Sequence, residues 1–185
     1  MTPEEQTLDT VTRMLERLNI PYMITGSLAA SHHGRPRATH DADLVVDLDS
    51  EQLDALLRDL ATASFYVDSA GAHDALSSRR QFNVIDMRYA CKVDLIIRKD
   101  RPFSREEFGR RQLVDIGFGR QLAMVTPEDA ILSKLEWAKR TDSERQLRDA
   151  AAIVEMNPGL DRRYVARWAA ELGVSDLWEA LSRTE

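Results

Sequence analysis

The sequence predicts an α+β fold, in which helices flank a mixed β-sheet and a helical region follows at the C-terminal end. Up to residue 125, short apolar runs of strand length alternate with segments of helical periodicity. From Thr126 onward only helical periodicity remains. We therefore divide the chain into a core with the sheet, residues 1–125, and a helical region, residues 126–185, that packs on it.

Helices are predicted where a capping residue precedes an amphipathic stretch. Thr2, Pro3 and Glu5 form a capping box with proline at the first helical position, and the apolar stripe that follows ends at Leu18. Residues 68–81, which contain Gly71 and several serines, are expected to be irregular. Further helices are expected at 27–33, from Ser50 on, and at 104–111, 126–139, 142–156, 161–172 and 175–183.

Strands are predicted where short apolar runs lie between turn residues. The last two of them are expected to form a hairpin around Gly117 and Gly119. The runs cover residues 21–25, 40–48, 64–67, 82–87, 91–98, 113–116 and 121–125.

Composition narrows the environment of the protein. The single cysteine, Cys91, cannot form an internal disulfide, which fits a reducing cytoplasm. The acidic N-terminus lacks the basic region of a signal peptide, and no apolar run reaches the length of a membrane helix. We expect a cytoplasmic protein without a membrane partner.

The charge is unevenly distributed along the chain. The net charge of −6 argues against a nucleic-acid coat protein, but residues 79–120 carry eleven Lys and Arg against six Asp and Glu. A basic segment of this kind could hold a polyanion such as RNA. The alternative is that these arginines form an ordinary solvated surface.

Asp41 and Asp43 stand two positions apart at the start of an apolar run. Alternate side chains of a strand leave the same face, so both carboxylates are expected on one face, with Ala42, Leu44 and Val46 on the other. Adjacent carboxylates repel unless a cation lies between them or one takes a proton. Oxygen ligands suit a hard ion such as Mg²⁺, so the pair predicts a metal site. The alternative is a polar strand end whose acids face water.

A third acid, Asp94, lies inside the apolar run Val93 to Ile97. A charge in such a strand is costly unless it is paired or binds a metal. If this strand neighbours that of Asp41 and Asp43, the three carboxylates meet. The alternative is that Asp94 pairs with Lys92 or with an arginine.

Gly26 and Ser27 lie between a strand and a helix. Glycine lets the backbone approach a ligand, the helix N-terminus offers free N–H groups to an anion, and Ser27 adds a hydroxyl. Together with the acids, this turn suggests phosphoryl or nucleotidyl transfer: the turn holds the leaving pyrophosphate, and two Mg²⁺ ions clamp the attacking and leaving oxygens. Asp94 could take the proton of the attacking hydroxyl.

These residues resemble the polymerase-β-type nucleotidyltransferase superfamily. The resemblance lies in Gly26-Ser27, in Asp41-Ala-Asp43 fourteen positions later, and in the lone Asp94 in an apolar strand. The match covers residues 20–155 and is firmest up to residue 97. The segments that resemble its small bacterial branch related to the AbiEii toxins are Arg37-Ala-Thr39-His-Asp41, Phe82 to Asp86, Lys92-Val-Asp94, and Thr126-Pro-Glu-Asp129 with Lys134.

The resemblance implies a nucleotidyltransferase-type sheet and a role for each matching residue. Gly26, Ser27, Arg37 and Lys134 would bind the triphosphate of an NTP. Lys134 has an alternative as a solvated helix lysine. The family's helical part also supplies an Arg-Asp pair, found here as Arg148-Asp149, although Asp149 could simply pair with Lys134 or Arg145. The implied metal ligands and catalytic residues are Asp41, Asp43 and Asp94.

The acceptor, the protein partner and the role of His40 are the remaining questions that the sequence raises. The resemblance implies transfer of a nucleoside monophosphate to an RNA 3′ end such as that of tRNA, and a cognate antitoxin as partner. A small-molecule acceptor of the aminoglycoside type and a non-catalytic nucleotide-binding protein are the alternatives. His40 flanks the acid pair and could tune it, or it could be an ordinary loop residue.

Overall fold

The computed structural model describes residues 1–39 and 41–183, so the question about His40 lies outside the described residues. It confirms the α+β class. The strands of the described part form one mixed sheet of seven, in the order β3-β4-β5-β2-β1-β7-β6. They are β1 (Tyr22–Thr25), β2 (Asp41–Val46), β3 (Phe65–Tyr66), β4 (Gln81–Asp86), β5 (Cys91–Ile97), β6 (Gln112–Asp115) and β7 (Gln121–Met124).

Strand β2 lies in the middle of the sheet, antiparallel to β1 and parallel to β5. Its side chains alternate as the sequence predicts: Leu44 and Val46 are buried, and Leu95 and Ile97 of β5 lie beside them on the same face. Helix α1 (Pro3–Arg17) packs on β2 and β5, and α3 (Ser50–Thr62) packs on α1. This face of the sheet therefore packs its apolar side chains against α1.

The predicted cap of α1 is confirmed, whereas the prediction that Ser50 caps the next long helix is wrong by one residue. Thr2 and Glu5 make both hydrogen bonds of the capping box at the start of α1. Asp49, not Ser50, caps α3, and its carboxylate accepts a hydrogen bond from the Gln52 amide. The remaining helices are α2 (Gly26–His33), α4 (Ser69–Ser78), α5 (Pro102–Gly109), α6 (Pro127–Thr141), α7 (Glu144–Met156), α8 (Arg162–Glu171) and α9 (Ser175–Ser182).

The prediction of an irregular segment at 68–81 is wrong, because α4 covers most of it. The fully buried positions of α4 are alanines, and Ala72 and Ala75 are 0% and 3% exposed. Alanine favours helix but contributes little to an apolar periodicity, so the pattern is hidden among serines. Arg79 ends the helix with φ +50°, a left-handed conformation that glycine more often supplies.

Helices α6 and α7 pack on each other, and both also contact α2. The start of α6 is tied down by Asp129, which is fully buried. Its carboxylate accepts hydrogen bonds from the hydroxyls of Thr126 and Tyr164 and from the Arg110 guanidinium. The helical region therefore packs, through α6 and α7, against α2, the helix that begins at Gly26. The boundary at residue 125 between two units stays a prediction.

Across residues 1–39 and 41–183, no helix combines the length and the apolar character that crossing a bilayer requires. The cytoplasmic location stays a prediction.

Candidate active site

The register of the sheet puts the predicted acids on one face of two neighbouring strands. Asp43 of β2 lies directly opposite Asp94 of β5, and Asp41 lies opposite Lys92. Paired residues of neighbouring strands share a face, and residues two apart on one strand do as well. Asp41, Asp43, Lys92 and Asp94 therefore all stand on the face opposite Leu44 and Val46.

Lys92 lies between two of the three acids. Its Nζ donates a hydrogen bond of 3.0 Å to Asp94 Oδ2 and lies 3.8 Å from Asp41 Oδ1. These contacts raise the pKa of Lys92, mainly through the hydrogen bond to Asp94, so the amine is held as an ammonium. Both interpretations of Asp94 thus find support: it neighbours the acid pair and it is paired with Lys92.

The surroundings of Asp43 disfavour the ionised form of its carboxylate. Burial raises its pKa above the ordinary value, and the charges of Asp94 and Asp41 raise it further. A hydrogen bond from the Ser27 amide and the charge of Lys134 act in the opposite direction but do not cancel the rise. A carboxylate kept ionised here would be stabilised by additional positive charge.

The turn at Gly26 is built closely around Asp43. Gly26 has φ +64°, and a Cβ at this position would lie 1.9 Å from Asp43 Oδ2. Only glycine fits this turn. The Ser27 amide, expected to be free for an anion, donates its hydrogen bond to Asp43. The turn and the acid pair therefore form one unit rather than two neighbouring sites.

Replacing Gly26 by alanine is expected to displace Asp43 and to destabilise the protein. Gly119→Ala is a matched control, because Gly119 has φ +68° but open space around its Cβ position. The left-handed conformation alone should cost about 1 kcal/mol in either variant, and the clash should cost Gly26→Ala about 2 kcal/mol more. Urea unfolding of both variants measures the difference. Equal losses would contradict the close packing of Gly26 against Asp43.

A second cluster lies beside the turn. The Arg37 guanidinium donates hydrogen bonds of 3.1 Å to Ser27 Oγ and 3.3 Å to Asp149 Oδ2. Lys134 of α6 donates one of 3.0 Å to the same Asp149 oxygen. Although burial acts to raise the pKa of Asp149, the contacts with Lys134 and Arg37 lower it overall. Helices α6 and α7 thus supply a lysine and an acid next to Gly26-Ser27.

The structure separates residues that the sequence grouped together. The side chain of Lys134 is only 8% exposed, so it is not a solvated helix lysine. Arg148, the neighbour of Asp149, is 71% exposed and pairs with Glu144 on the outside of α7. Asp149 therefore belongs to the cluster and Arg148 does not.

Comparisons with solved structures identify proteins of the same fold. A nucleotidyltransferase-like antigenic protein from Paracoccidioides brasiliensis superposes with a TM-score of 0.57 at 21% identity, over 98% of this chain and 93% of that one. The chain has the nucleotidyltransferase fold. ANT(2″)-Ia in complex with adenylyl-2″-tobramycin gives 0.55 at 15% identity over the whole of both chains. The solution structure of this antibiotic-resistance factor gives 0.54 at 14% identity, over 88% and 91%.

These superpositions establish the nucleotidyltransferase fold, and the low sequence identities assign no closer family. No sequence-family model matches the chain. A search of curated proteins found no match either. The closer resemblance to the AbiEii branch therefore stays a prediction.

The nucleotidyltransferase fold implies a divalent metal, and the acids fit one in their donor chemistry. Carboxylate oxygens are the ligands that Mg²⁺ prefers, and Asp94 Oδ1 is buried without a hydrogen-bond partner. In the part of the chain that the structure describes, however, no three His, Cys, Asp or Glu side chains are gathered around one point. Between Asp41 and Asp94, the ammonium of Lys92 lies where a shared cation would be held.

A cleft of about 360 Å³ opens beside the first residues of β2 and β5. Asp41, Lys92 and Arg37 line part of it, and Leu8 of α1 and Phe118 of the β6–β7 loop line another part. Glutamates and threonines as well as further apolar side chains complete the walls. The volume lies in the range of small-molecule sites. This cleft was not predictable from the sequence, because α1 and the β6–β7 loop are far apart in the chain.

The basic segment 79–120 does not present a free positive surface. Most of its arginines form ion pairs with carboxylates that come largely from other segments. Arg120, for example, contacts both Asp9 and Glu16 of α1. The other pairs are Arg80–Asp74, Arg88–Asp86, Arg98–Asp47, Arg101–Glu136, Arg105–Asp100 and Arg110–Asp129.

Proposed function

We propose that this protein is a Mg²⁺-dependent nucleotidyltransferase that moves a nucleoside monophosphate from an NTP to an acceptor hydroxyl. The observation that carries the proposal is the pairing of Asp43 with Asp94 directly beside Gly26, on a fold shared with nucleotidyltransferases. Burial of two facing carboxylates costs stability unless a cation joins them. A chain that keeps both acids, and a glycine fitted against one of them, is built for a cationic ligand.

Asp41, Asp43 and Asp94 would hold the metal, with two ions as the expected number. Bound there, Mg²⁺ would neutralise the charge of the triphosphate and of the attacking and leaving oxygens. Asp94 would take the proton of the acceptor hydroxyl, and its unpartnered Oδ1 is free to do so. The protein need only position the reactants and stabilise charge.

Ser27, Arg37 and Lys134 would hold the triphosphate together with the backbone at Gly26. Arg37 and Lys134 now share Asp149 as their acidic partner. Phosphate oxygens can replace Asp149 as acceptors for both cations, because charged hydrogen bonds of this kind are among the strongest. Asp149 would then act as a holder that keeps both side chains pointing toward Ser27 in the absence of nucleotide.

The cleft favours a small molecule as acceptor. Its walls are largely apolar and its size suits a compact ligand, while the arginines of segment 79–120 are mostly paired with acids. An RNA 3′ end, which would need free positive charge along its backbone, remains the second candidate through the resemblance to AbiEii toxins. That resemblance also carries the proposal of a cognate antitoxin.

The proposal is tested by incubating the purified protein with Mg²⁺ and each of the four NTPs, labelled at the α-phosphate. One series contains total tRNA, and a second contains a panel of small hydroxyl compounds that includes aminoglycosides. We expect label on a small-molecule acceptor and release of pyrophosphate. Label on tRNA would favour the RNA acceptor. Nucleotide binding without transfer to any acceptor would favour the non-catalytic alternative.

A further inference from the structure

The sheet fixes the backbone of Lys92, but the ammonium at the end of its side chain can move. Its backbone lies opposite Asp41 on the neighbouring strand and two residues before Asp94. The ammonium is carried on a flexible four-carbon chain, and the side chain is 37% exposed. It can therefore leave the acids without any movement of the strands.

The contacts of the ammonium leave the acids only partly neutralised. Asp43 and Asp94 face each other, and Asp41 lies two residues from Asp43 on the same strand face. The ammonium of Lys92 is shared by Asp41 and Asp94, while Lys134 is engaged by Asp149. Asp94 Oδ1 remains buried without a partner even though Oδ2 is bound to Lys92. A buried oxygen without a hydrogen-bond partner lowers the stability of the ligand-free protein. It therefore indicates that a ligand binds here.

Resting on the proposed nucleotidyl transfer, we propose that Lys92 is a resident cation that competes with the divalent metal for Asp41 and Asp94. The triphosphate of the incoming NTP draws the ammonium away. An ion pair that is partly open to solvent is weak, whereas a triphosphate offers several anionic oxygens close by. The metal and the nucleotide would then enter together, and the protein would bind little metal by itself.

The test measures metal binding rather than activity. Mn²⁺, used as a paramagnetic probe, is titrated into the nucleotide-free protein and the free ion is followed by electron paramagnetic resonance. Lys92→Met is expected to bind Mn²⁺ about tenfold more tightly than the wild type, because the competing charge is gone. Lys92→Arg keeps the charge and should stay close to the wild type. Lys99→Met, at an exposed lysine away from the acids, is the matched control.

A second measurement follows the nucleotide without metal. In the presence of EDTA, an NTP analogue that cannot be cleaved between its α- and β-phosphates is expected to bind Lys92→Met about tenfold more weakly than the wild type. The same substitution thus acts in opposite directions on the two ligands. A role limited to holding the strands together would not produce this reversal.

If Lys92→Met does not fold, Lys92→Gln takes its place, since its amide can still donate a hydrogen bond to Asp94. Mn²⁺ affinity that is unchanged or weaker in the neutral variant overturns the proposal. Tighter Mn²⁺ binding with unchanged nucleotide affinity overturns the part that concerns the triphosphate. Failure of the proposed function itself looks different: Asp43→Asn and Asp94→Asn would then bind Mn²⁺ as the wild type does.

Discussion

Replacing Asp43 by asparagine is expected to lower nucleotidyl transfer by at least about 10³-fold, because it removes the central charge of the three acids. Asparagine keeps the size of the side chain and can still accept the hydrogen bond from the Ser27 amide. The repulsion between Asp43 and Asp94 disappears at the same time, since the two face each other across β2 and β5. We therefore expect the metal-free variant to be at least as stable as the wild type.

Asp47→Asn is the matched control for this prediction. Asp47 follows the last residue of β2, is 40% exposed and pairs with Arg98 at 3.0 Å, away from Gly26. Its replacement should change the rate less than about threefold, since this ion pair touches none of the residues of the candidate site. Rates are measured with saturating Mg²⁺ and NTP, and stability by thermal unfolding in EDTA. An Asp43→Asn enzyme with more than a tenth of the wild-type rate would rule out a metal site built on Asp43.

Those features of the candidate site that depend on residues close together in the sequence could be predicted, and those that depend on strand pairing could not. The spacing of Asp41 and Asp43 puts both on one face of any strand, and Gly26-Ser27 marks the turn before a helix. The meeting with Asp94 depends on which strands are neighbours and on their register, and neither is written in a local pattern. The resemblance to nucleotidyltransferases implied that meeting, and the parallel pairing of β2 with β5 puts Asp94 opposite Asp43.

What the sequence could not reveal are the partners chosen over long distances. The arginines of segment 79–120 form an apparent basic surface in the sequence, yet Arg120 is neutralised by acids of α1 about a hundred residues away. The pairing of Lys134 with Asp149 was one of two that the sequence allowed for this acid, and it forms where α6 packs on α7. Such pairs arise only when distant elements pack, so charge counts along the chain overstate the free charge of the folded surface.

Glu107, a buried acid outside the candidate site, is expected to make the stability of the protein depend strongly on pH. It lies on α5, is 8% exposed, and accepts a hydrogen bond of 2.7 Å from the Ser133 hydroxyl. Burial raises the pKa of Glu107 from 4.5 to about 7, and the charge of Asp129 adds to the rise against the opposing hydrogen bond from Ser133. The side chain is therefore held in a place that disfavours its charge.

The sign of the resulting pH dependence follows from the two pKa values. Between pH 4.5 and about 7 the unfolded chain has released the proton of Glu107 while the folded protein still holds it. The unfolded state thus binds fewer protons, and the free energy of unfolding falls as the pH rises, by about 3 kcal/mol in total, with the loss complete above about pH 7. Glu107→Gln cannot lose a proton and keeps an acceptor for Ser133.

We expect Glu107→Gln to match the wild type near about pH 4.5 and to exceed its free energy of unfolding by about 3 kcal/mol at about pH 8.5. Urea unfolding of both proteins across this range measures the difference, in which the other titrating groups cancel. Glu106→Gln is the control, because Glu106 is the exposed neighbour on α5 and its replacement should stay within about 0.5 kcal/mol at every pH. A Glu107→Gln advantage that does not grow with pH would show that Glu107 is ionised in the folded protein at little cost. The Ser133 hydroxyl and the charge of Arg101 would then be enough to stabilise a buried carboxylate on α5.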